Sequence, residues 1–121
     1  MSKPKDQNYI EECLEEVMVN CKTILQSKGK DYSQDHNRFS NFERAADDCG
    51  INVFQAWMTF FSKHYFSIGR FCKEQKVYSE PIEGRIYDMI NYLVLLLAMI
   101  KKHNAKDDDV EEIPGPEDYD K

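Results

Sequence analysis

The sequence predicts an all-α protein, a small helical bundle of three long helices and one short helix. Apolar residues recur at i, i+3 and i+4 along most of the chain, which is the period of an amphipathic helix, and no segment alternates as a strand does. The segments between these stretches carry residues that start and stop helices. At 121 residues and 41% hydrophobic composition, the chain suits one domain. We expect a single helical domain over residues 1–103 and an acidic, flexible C-terminal tail over 104–121.

The first helix is expected from about Asn8 to Lys28. One side of this stretch carries an apolar stripe at helical spacing, made of Ile10, Cys13, Leu14, Val17, Cys21, Ile24 and Leu25. Gly29 follows, and glycine favours the left-handed conformation that often ends a helix. We therefore expect the stripe to face the core and a polar loop to run from Lys30 to Phe39.

A short second helix and a long third helix are expected after that loop. Ser40 and Glu43 have the spacing of a capping box, and Gly50 supplies the stop. Asn52 and Gln55 repeat the capping-box spacing and start the third helix, which could extend to about residue 76. Its aromatic residues are Phe54, Trp57, Phe60, Phe61, Tyr65, Phe66 and Phe71. Apolar residues on several sides predict a central helix, or one that also contacts a partner subunit.

The fourth helix is expected from the region of Ser79 and Pro81 to about Lys102, because proline is tolerated in a first helical turn. Its predicted core face consists of Ile82, Ile86, Met89, Ile90, Leu93, Leu97 and Ile100. The second half, from Leu93 to Ile100, is apolar all round, which leaves one side for a partner. We therefore expect the bundle to be completed by homo-oligomerisation.

The formal charge of −6 is concentrated at one end of the chain. Residues 104–121 hold eight acids and two lysines, so the remaining body, with 14 basic and 14 acidic residues, is neutral. A neutral body argues against a long nucleic acid as a partner. The longest apolar run has eight residues, far below the roughly 20 that span a membrane, and no secretory signal is expected. The four cysteines lack Cys-x-x-Cys spacing, which favours reduced thiols and a cytoplasmic location.

The first candidate site is the segment that joins the first two helices. It combines cations with aromatic rings, which suits a nucleotide because cations bind phosphates and rings stack on a base. The helix that follows also offers backbone N–H groups to an anion. Its candidate ligand-binding residues are Lys28, Lys30, Asp31, Tyr32, Arg38, Phe39, Asn41 and Phe42. The alternative is that Tyr32, Phe39 and Phe42 only close the end of the bundle.

A second candidate group lies in the middle of the third helix. Lys63 and Ser67 share one side at i, i+4 spacing, and His64 is flanked by aromatic residues. All three are candidate ligand-binding residues. The alternative is a lysine that extends along the surface and a histidine that packs in the core.

The third candidate group opens the fourth helix. Arg85 would bind phosphate, while Asp88 and Asn91 would bind base, ribose or a metal. Glu80, Glu83 and Asp88 are candidate Mg²⁺ ligands, because this ion takes oxygen ligands and bridges phosphates. The alternative for Glu80 and Glu83 is that they only complement the helix dipole.

Several short motifs occur in a fixed order along residues 8 to 102. They are Lys28-Gly-Lys-Asp-Tyr-Ser, Arg38-Phe-Ser-Asn-Phe, Ala45-Ala46 before Gly50, Lys63-His64 with Ser67-Ile68, Ser79-Glu-Pro-Ile, and Arg85-Ile with Asp88-Met-Ile-Asn-Tyr. This order resembles a bacteriophage family of small helical proteins, the nucleotide-modification-associated domain family of unknown function. That family is grouped loosely with all-α nucleoside triphosphate pyrophosphatases of MazG type. The resemblance implies an oligomeric helical bundle that acts on or binds nucleotides in the cytoplasm of an infected host.

The resemblance leaves three functions open. MazG-type enzymes hold Mg²⁺ with Glu-x-x-Glu on one helix and Glu-x-x-Asp on the next; here Glu12-x-x-Glu15 has the first spacing, and no predicted helix carries the second. The leading hypothesis is therefore a binder of a small phosphorylated nucleotide, in nucleotide metabolism or in sequestration of a defence signal. One alternative is a Mg²⁺-dependent pyrophosphohydrolase or nucleotide-modifying enzyme. The other is a helical adaptor that binds a host protein through its apolar faces and acidic tail.

Overall fold

The all-α prediction is confirmed by a computed structural model, which describes residues 5–32, 39–77, 80–105 and 111–116, with the backbone alone for 28–32. These ranges contain four helices and no strand. The helices are α1 (Lys5–Tyr32), α2 (Ser40–Cys49), α3 (Val53–Glu74) and α4 (Ile82–Asn104). They pack in the spatial order α2, α3, α4, α1, so α3 and α4 are each in contact with two helices.

Helix α1 is longer at both ends than the sequence predicts. It begins at Lys5, three residues before the predicted start, and continues through Gly29 to Tyr32. The prediction that Gly29 ends the helix is therefore wrong, as is the prediction of a loop from residue 30. A glycine within a helix costs only about 1 kcal/mol relative to alanine, which a helix of this length can tolerate.

The two predicted capping boxes have different outcomes. At α3 the box forms: Gln55 N–H donates to Asn52 Oδ1 at 2.9 Å, and Asn52 N–H donates to Gln55 Oε1 at 3.0 Å. At α2 it does not form, because Ser40 already lies inside the helix and Phe39 is the N-cap, with no side-chain hydrogen bond. The first turn of α2 is instead closed by the backbone, with Glu43 N–H donating to Phe39 O at 3.0 Å.

The ends of the other helices follow the sequence more closely. Gly50 terminates α2 as predicted, at φ 67°, a conformation in which a side chain would be strained. Helix α3 stops at Glu74, just short of residue 76, and Gln75 adopts the left-handed conformation after it. Pro81 lies immediately before α4, with φ −57° and ψ 141°, so it precedes the helix instead of occupying its first turn. Ser79 lies outside the described residues.

The buried core lies where α2, α3 and α4 meet. Its buried members are Phe42, Ala46, Ala56, Trp57 and Met99, covered by half-buried neighbours that include Phe61, Leu95 and Leu96. The face of α4 that reaches this core therefore contains Leu95 and Met99. The predicted core face of α4 is wrong for Ile86, Leu93 and Leu97, which are exposed, because α3 packs against the other side of the helix.

The apolar stripe of α1 is divided between contact and solvent. Cys21 is buried, and Ile24 and Leu25 are half-buried in the second half of the helix. Ile10 and Leu14 in the first half are exposed, as is Cys13, so the prediction of a core-facing stripe is wrong there. The physical reason is that α4 is the one described helix with a substantial contact to α1.

Part of the predicted tail makes a defined contact with the end of α4. The Asn104 side chain donates to Ile113 O at 3.0 Å and accepts from Ile113 N–H at 2.8 Å. His103 Nε2 lies 2.9 Å from Glu111 O. This Asn104–Ile113 clasp attaches residues 111–113 to the helical domain, whereas the sequence predicts a flexible tail from residue 104.

Candidate functional site

Polar side chains from α3 and α4 meet beside the core, next to the contact of α4 with α1. His64 Nδ1 on α3 lies 3.9 Å from Asp88 Oδ2 on α4, and these side chains are 12% and 20% exposed. That separation is too long for a hydrogen bond but short enough for an ion pair when the imidazole is protonated. His64, Asp88, Asn91 and Tyr92 are called the polar junction below. The Asp88 side chain is partly exposed, so the polar junction is accessible to solvent.

An aromatic wall fixes one side of the polar junction. The Tyr92 ring centroid lies 5.0 Å from that of His64. Trp57 Nε1–H donates to Tyr92 O at 2.7 Å, and the indole stacks on Phe61 with centroids 4.7 Å apart. Trp57, Phe61 and His64 follow i, i+4, i+7 spacing, so one side of α3 carries all three rings. The wall therefore limits the freedom of the His64 ring.

Asn91 is the most unusual member of the polar junction. It is 5% exposed, and neither its Oδ1 nor its Nδ2 has a hydrogen-bond partner in the part of the chain that the structure describes. A buried polar group without a partner costs about 1–3 kcal/mol. Such a group is uncommon in native proteins, and a role in binding is one physical explanation for keeping it.

Cys21 of α1 borders the polar junction. Its thiol lies against α4, with Sγ 3.8 Å from Tyr87 O. Burial, and then the negative charge of Asp88, raise the pKa of the Cys21 thiol above its ordinary value of 9.0. The group therefore stays protonated near neutral pH, which argues against a nucleophilic thiolate at this position.

A second contact joins α1 to α4 one turn away. The Tyr87 side chain of α4 interacts with the Glu16 carboxylate of α1. Desolvation raises the pKa of Tyr87 above 10.0, and the interaction with Glu16 and other nearby negative charges raises it further. This pair and the Cys21 contact fix the position of the middle of α1 against the first half of α4.

The structure brings His64 and Asp88 together, and Asn91 lies one turn after Asp88 on α4. Lys63 is exposed on α3, and Arg85 is half-buried on α4, one turn before Asp88. The Ser67 hydroxyl donates to Lys63 O at 3.0 Å within its own helix. Two predicted cations therefore lie on the helices that carry the junction.

The residues proposed from the inter-helix segment have other positions. Phe42 is buried in the core, with its ring edge-on to Phe60 and Tyr92, which accounts for it without a ligand. Phe39 lies at the base of α2 with Lys102 Nζ 5.3 Å from its ring centroid, and Asn41 is exposed. Arg38, together with the side chains of Lys28, Lys30, Asp31 and Tyr32, lies outside the described residues.

The predicted Mg²⁺ ligands are not clustered. Glu80 and Glu83 are exposed near the start of α4, whereas Asp88 faces His64. Within the described ranges no group of three or more His, Cys, Asp or Glu side chains could hold a metal ion. Mg²⁺ binding stays a prediction of the sequence.

Sequence reasoning missed Tyr92 as a member of the polar junction and Trp57 as part of the aromatic wall beside it. Tyr92 could have been found, because it lies four residues after Asp88 and therefore on the same side of α4. The hydrogen bond from Trp57 to Tyr92 O depends on how α3 and α4 are oriented, and no local pattern encodes that.

The chain matches no protein-family model, no curated protein and no solved structure. No helix among the described residues is both long and apolar enough to cross a membrane. The resemblance to the bacteriophage family therefore stays a prediction, and any function must be argued from the polar junction itself.

Proposed function

We propose that the chain binds a small phosphorylated nucleotide at the polar junction. The observation that carries the proposal is the Asn91 amide, which is buried without a hydrogen-bond partner among the described residues. A side-chain amide offers both donors and an acceptor, which matches the mixed donor and acceptor edge of a nucleobase. A ligand that supplies these bonds would recover the free energy that the unpartnered amide costs.

The neighbours of Asn91 fit the rest of a nucleoside. Asp88 lies one turn earlier on α4 and can accept hydrogen bonds from ribose hydroxyl or base amino groups. His64 can act as donor or acceptor according to its tautomer. The Tyr92 ring supports the imidazole, so the groups that would contact a ligand are held by aromatic packing.

Phosphate groups would be bound by the cations next to the junction. Lys63 is exposed on α3, and Arg85 is half-buried on α4. Arginine suits bidentate bonds to phosphate oxygens, while lysine acts as a mobile point charge. Because the body of the chain is neutral overall, these two cations supply local positive charge without attracting long polyanions.

Calorimetry with a panel of nucleoside mono-, di- and triphosphates tests the proposal. We expect at least one member to bind, and Asn91→Leu to weaken that binding about tenfold or more, which corresponds to about 1.4 kcal/mol. Lys63→Ala should also weaken it, whereas Lys73→Ala, an exposed lysine near the end of the same helix, should not. Absence of binding across the panel, or equal affinity in Asn91→Leu, would contradict the proposal.

The same samples separate binding from hydrolysis. After incubation with Mg²⁺ and denaturation of the protein, chromatography should return the bound nucleotide intact. Release of pyrophosphate or of a modified nucleotide would instead support the enzyme hypothesis, in which Asp88 with Glu80 or Glu83 holds the metal. Because Glu80 and Glu83 are exposed, Glu83→Gln should leave nucleotide affinity unchanged if the chain only binds.

A further inference from the structure

The last turn of α4 binds the segment 111–114 through the backbone of that segment. Asn104 donates to Ile113 O at 3.0 Å and accepts from Ile113 N–H at 2.8 Å. His103 Nε2 lies 2.9 Å from Glu111 O, and it is the donor because a carbonyl oxygen only accepts. Residues two apart present their N–H and C=O groups to the same side of an extended strand. Proteins that bind extended peptides use main-chain bonds of this kind for affinity.

The helix end that makes these bonds is held by other helices. The His103 ring packs edge-on to Phe54 of α3, with ring centroids 5.8 Å apart. One residue earlier, Lys102 Nζ lies 3.2 Å from Glu43 Oε1 of α2. Because α2 and α3 fix the last turn of α4, its donors and acceptor keep their positions whether or not the segment is bound. The end of α4 is therefore preformed for binding.

The sequence of the segment favours the extended conformation that this helix end binds. Ile113 precedes Pro114, and a residue before proline is largely restricted to extended backbone. Proline also has no N–H, so position 114 leaves no donor without a partner. A segment that is already extended loses less conformational freedom on binding, which favours binding of a short stretch.

The side chains of the segment divide by burial. Ile113 is half-buried, whereas Glu111 and Glu112 are exposed. The aliphatic side chain therefore contacts the protein, and the two carboxylates remain in solvent. The ligand class that fits is an extended peptide in which an aliphatic residue precedes proline.

The forces that hold the segment are close to balance. Three hydrogen bonds stabilise the contact, each with a modest net contribution because water competes for the same groups. Ordering a few residues of the segment costs conformational entropy of a similar magnitude. The bond to His103 is exposed and the pair of bonds to Asn104 is only partly buried. Surface contacts of this kind open locally while the rest of the protein stays folded.

We propose that the end of α4 is a binding site for an extended peptide in which an aliphatic residue precedes proline, and that residues 111–114 occupy it as an exchangeable strap. In the closed state the strap makes the Asn104–Ile113 clasp. In the open state the Asn104 amide and the His103 ring are available to an outside peptide of the same chemistry. Residues 106–110 connect the site to its strap, so an outside peptide competes against an effective concentration on the order of millimolar.

Amide hydrogen exchange of the full chain, followed by NMR, tests the closed state. We expect Asn104→Ala to accelerate exchange of the Ile113 N–H about tenfold, because the variant removes its acceptor. Lys101→Ala, at an exposed position in the same turn, should change that rate by less than about twofold. The backbone N–H of Trp57, inside α3, should exchange at least about a hundredfold more slowly than that of Ile113 and equally in all three chains.

A synthetic peptide of residues 109–117 with blocked ends, added unlabelled to the isotope-labelled full chain, tests exchange of the strap. At several millimolar it should raise the exchange rate of the chain's Ile113 N–H to the rate found in Asn104→Ala, because it displaces the strap. The same peptide with Pro114→Ala should be about threefold less effective, since its residue 113 is less restricted. The peptide with Ile113→Ser should not compete at the same concentration.

Three results would overturn the proposal. Unchanged exchange of the Ile113 N–H in Asn104→Ala would mean that the clasp does not form in solution. Exchange as slow as that of Trp57 would make the segment a fixed part of the fold. Failure of the natural peptide to compete, or equal competition by the Ile113→Ser peptide, would remove the binding site. None of these results bears on nucleotide binding, which calorimetry measures at the polar junction.

Discussion

The two ends of this helical domain differ in how their apolar side chains are used. Where α2, α3 and α4 meet, Phe42, Trp57 and Met99 are buried. The Phe42 ring packs edge-on to Phe60, and the Trp57 indole stacks on Phe61. Where α1 lies against α4, Ile10 and Leu14 are also apolar and at helical spacing, but they remain exposed. Helical periodicity therefore tells which side of a helix is apolar, while the number of neighbouring helices decides whether that side is covered.

The largest effect is expected from breaking the packed end. Trp57→Ala removes the stacking on Phe61 and the hydrogen bond to Tyr92 O, and leaves a cavity, so the free energy of unfolding should fall by about 3–5 kcal/mol. Urea denaturation at fixed protein concentration measures it. Met58→Ala, at the next and exposed position of α3, should change stability by less than about 0.5 kcal/mol. Similar costs for both variants would contradict the assignment of the core.

The next largest effect should have the opposite sign. Asn91→Leu replaces a buried amide, which has no partner among the described residues, with an apolar side chain of similar volume. We expect the free energy of unfolding to rise by about 1–3 kcal/mol, because the desolvation cost of the amide disappears. Thermal unfolding without ligand measures the change. A marked loss of stability would mean that the amide is satisfied in the folded protein.

A smaller effect should distinguish the first turns of α2 and α3. Asn52→Ala removes the capping box of α3 and should cost about 1 kcal/mol. Ser40→Ala should cost no more than about 0.5 kcal/mol, because Ser40 makes no capping bond and alanine favours the helix. Denaturant midpoints of the two variants provide the comparison. An equal cost for both would show that the Ser40 box forms in solution.

The smallest effect concerns the contact between α1 and α4 at high pH. The pKa values of Cys21 and Tyr87 are raised in the folded protein, so the unfolded chain loses these protons first as the pH rises. The stability that they contribute is present below pH 9 and is lost above pH 9 to 10. The variant Cys21→Ala/Tyr87→Phe should therefore lose less stability than the natural chain between pH 8.5 and 11, as measured by urea titration at each pH. A steeper loss in the variant would contradict the raised values.

Much of the fold could be predicted because its signals are local. The stop at Gly50 and the capping box at Asn52 depend on a few neighbouring residues, and both are confirmed. The end of α1 could not be predicted from Gly29, since a glycine permits a helix end without requiring one. The buried side of α4 was also mispredicted. Its apolar residues surround the helix, so only the packing of α3 selects Leu95 and Met99 over Leu93 and Leu97.

The candidate site was partly predictable for the same reason. Asp88 and Asn91 stand out because helix propensity disfavours both residues in the middle of a helix. The position of Asp88 opposite His64 depends on the register between α3 and α4, which no spacing within one helix encodes. The aromatic residues near the start of α2 show the converse. Phe42 has an aromatic ring of the kind that stacks on a base, yet its packing against α3 and α4 places it in the core.

The Asn104–Ile113 clasp has an electrostatic consequence for the polar junction. It holds Glu111 and Glu112 beside the C-terminal end of α4, where Glu111 O contacts His103. From Asp88 to Asn104 the helix rises about 24 Å at ~1.5 Å per residue. At physiological ionic strength the screening length is about 8 Å, so the field of these two carboxylates decays roughly twentyfold over that distance. A phosphate arriving at the junction would therefore experience Lys63 and Arg85 and almost nothing of these acids.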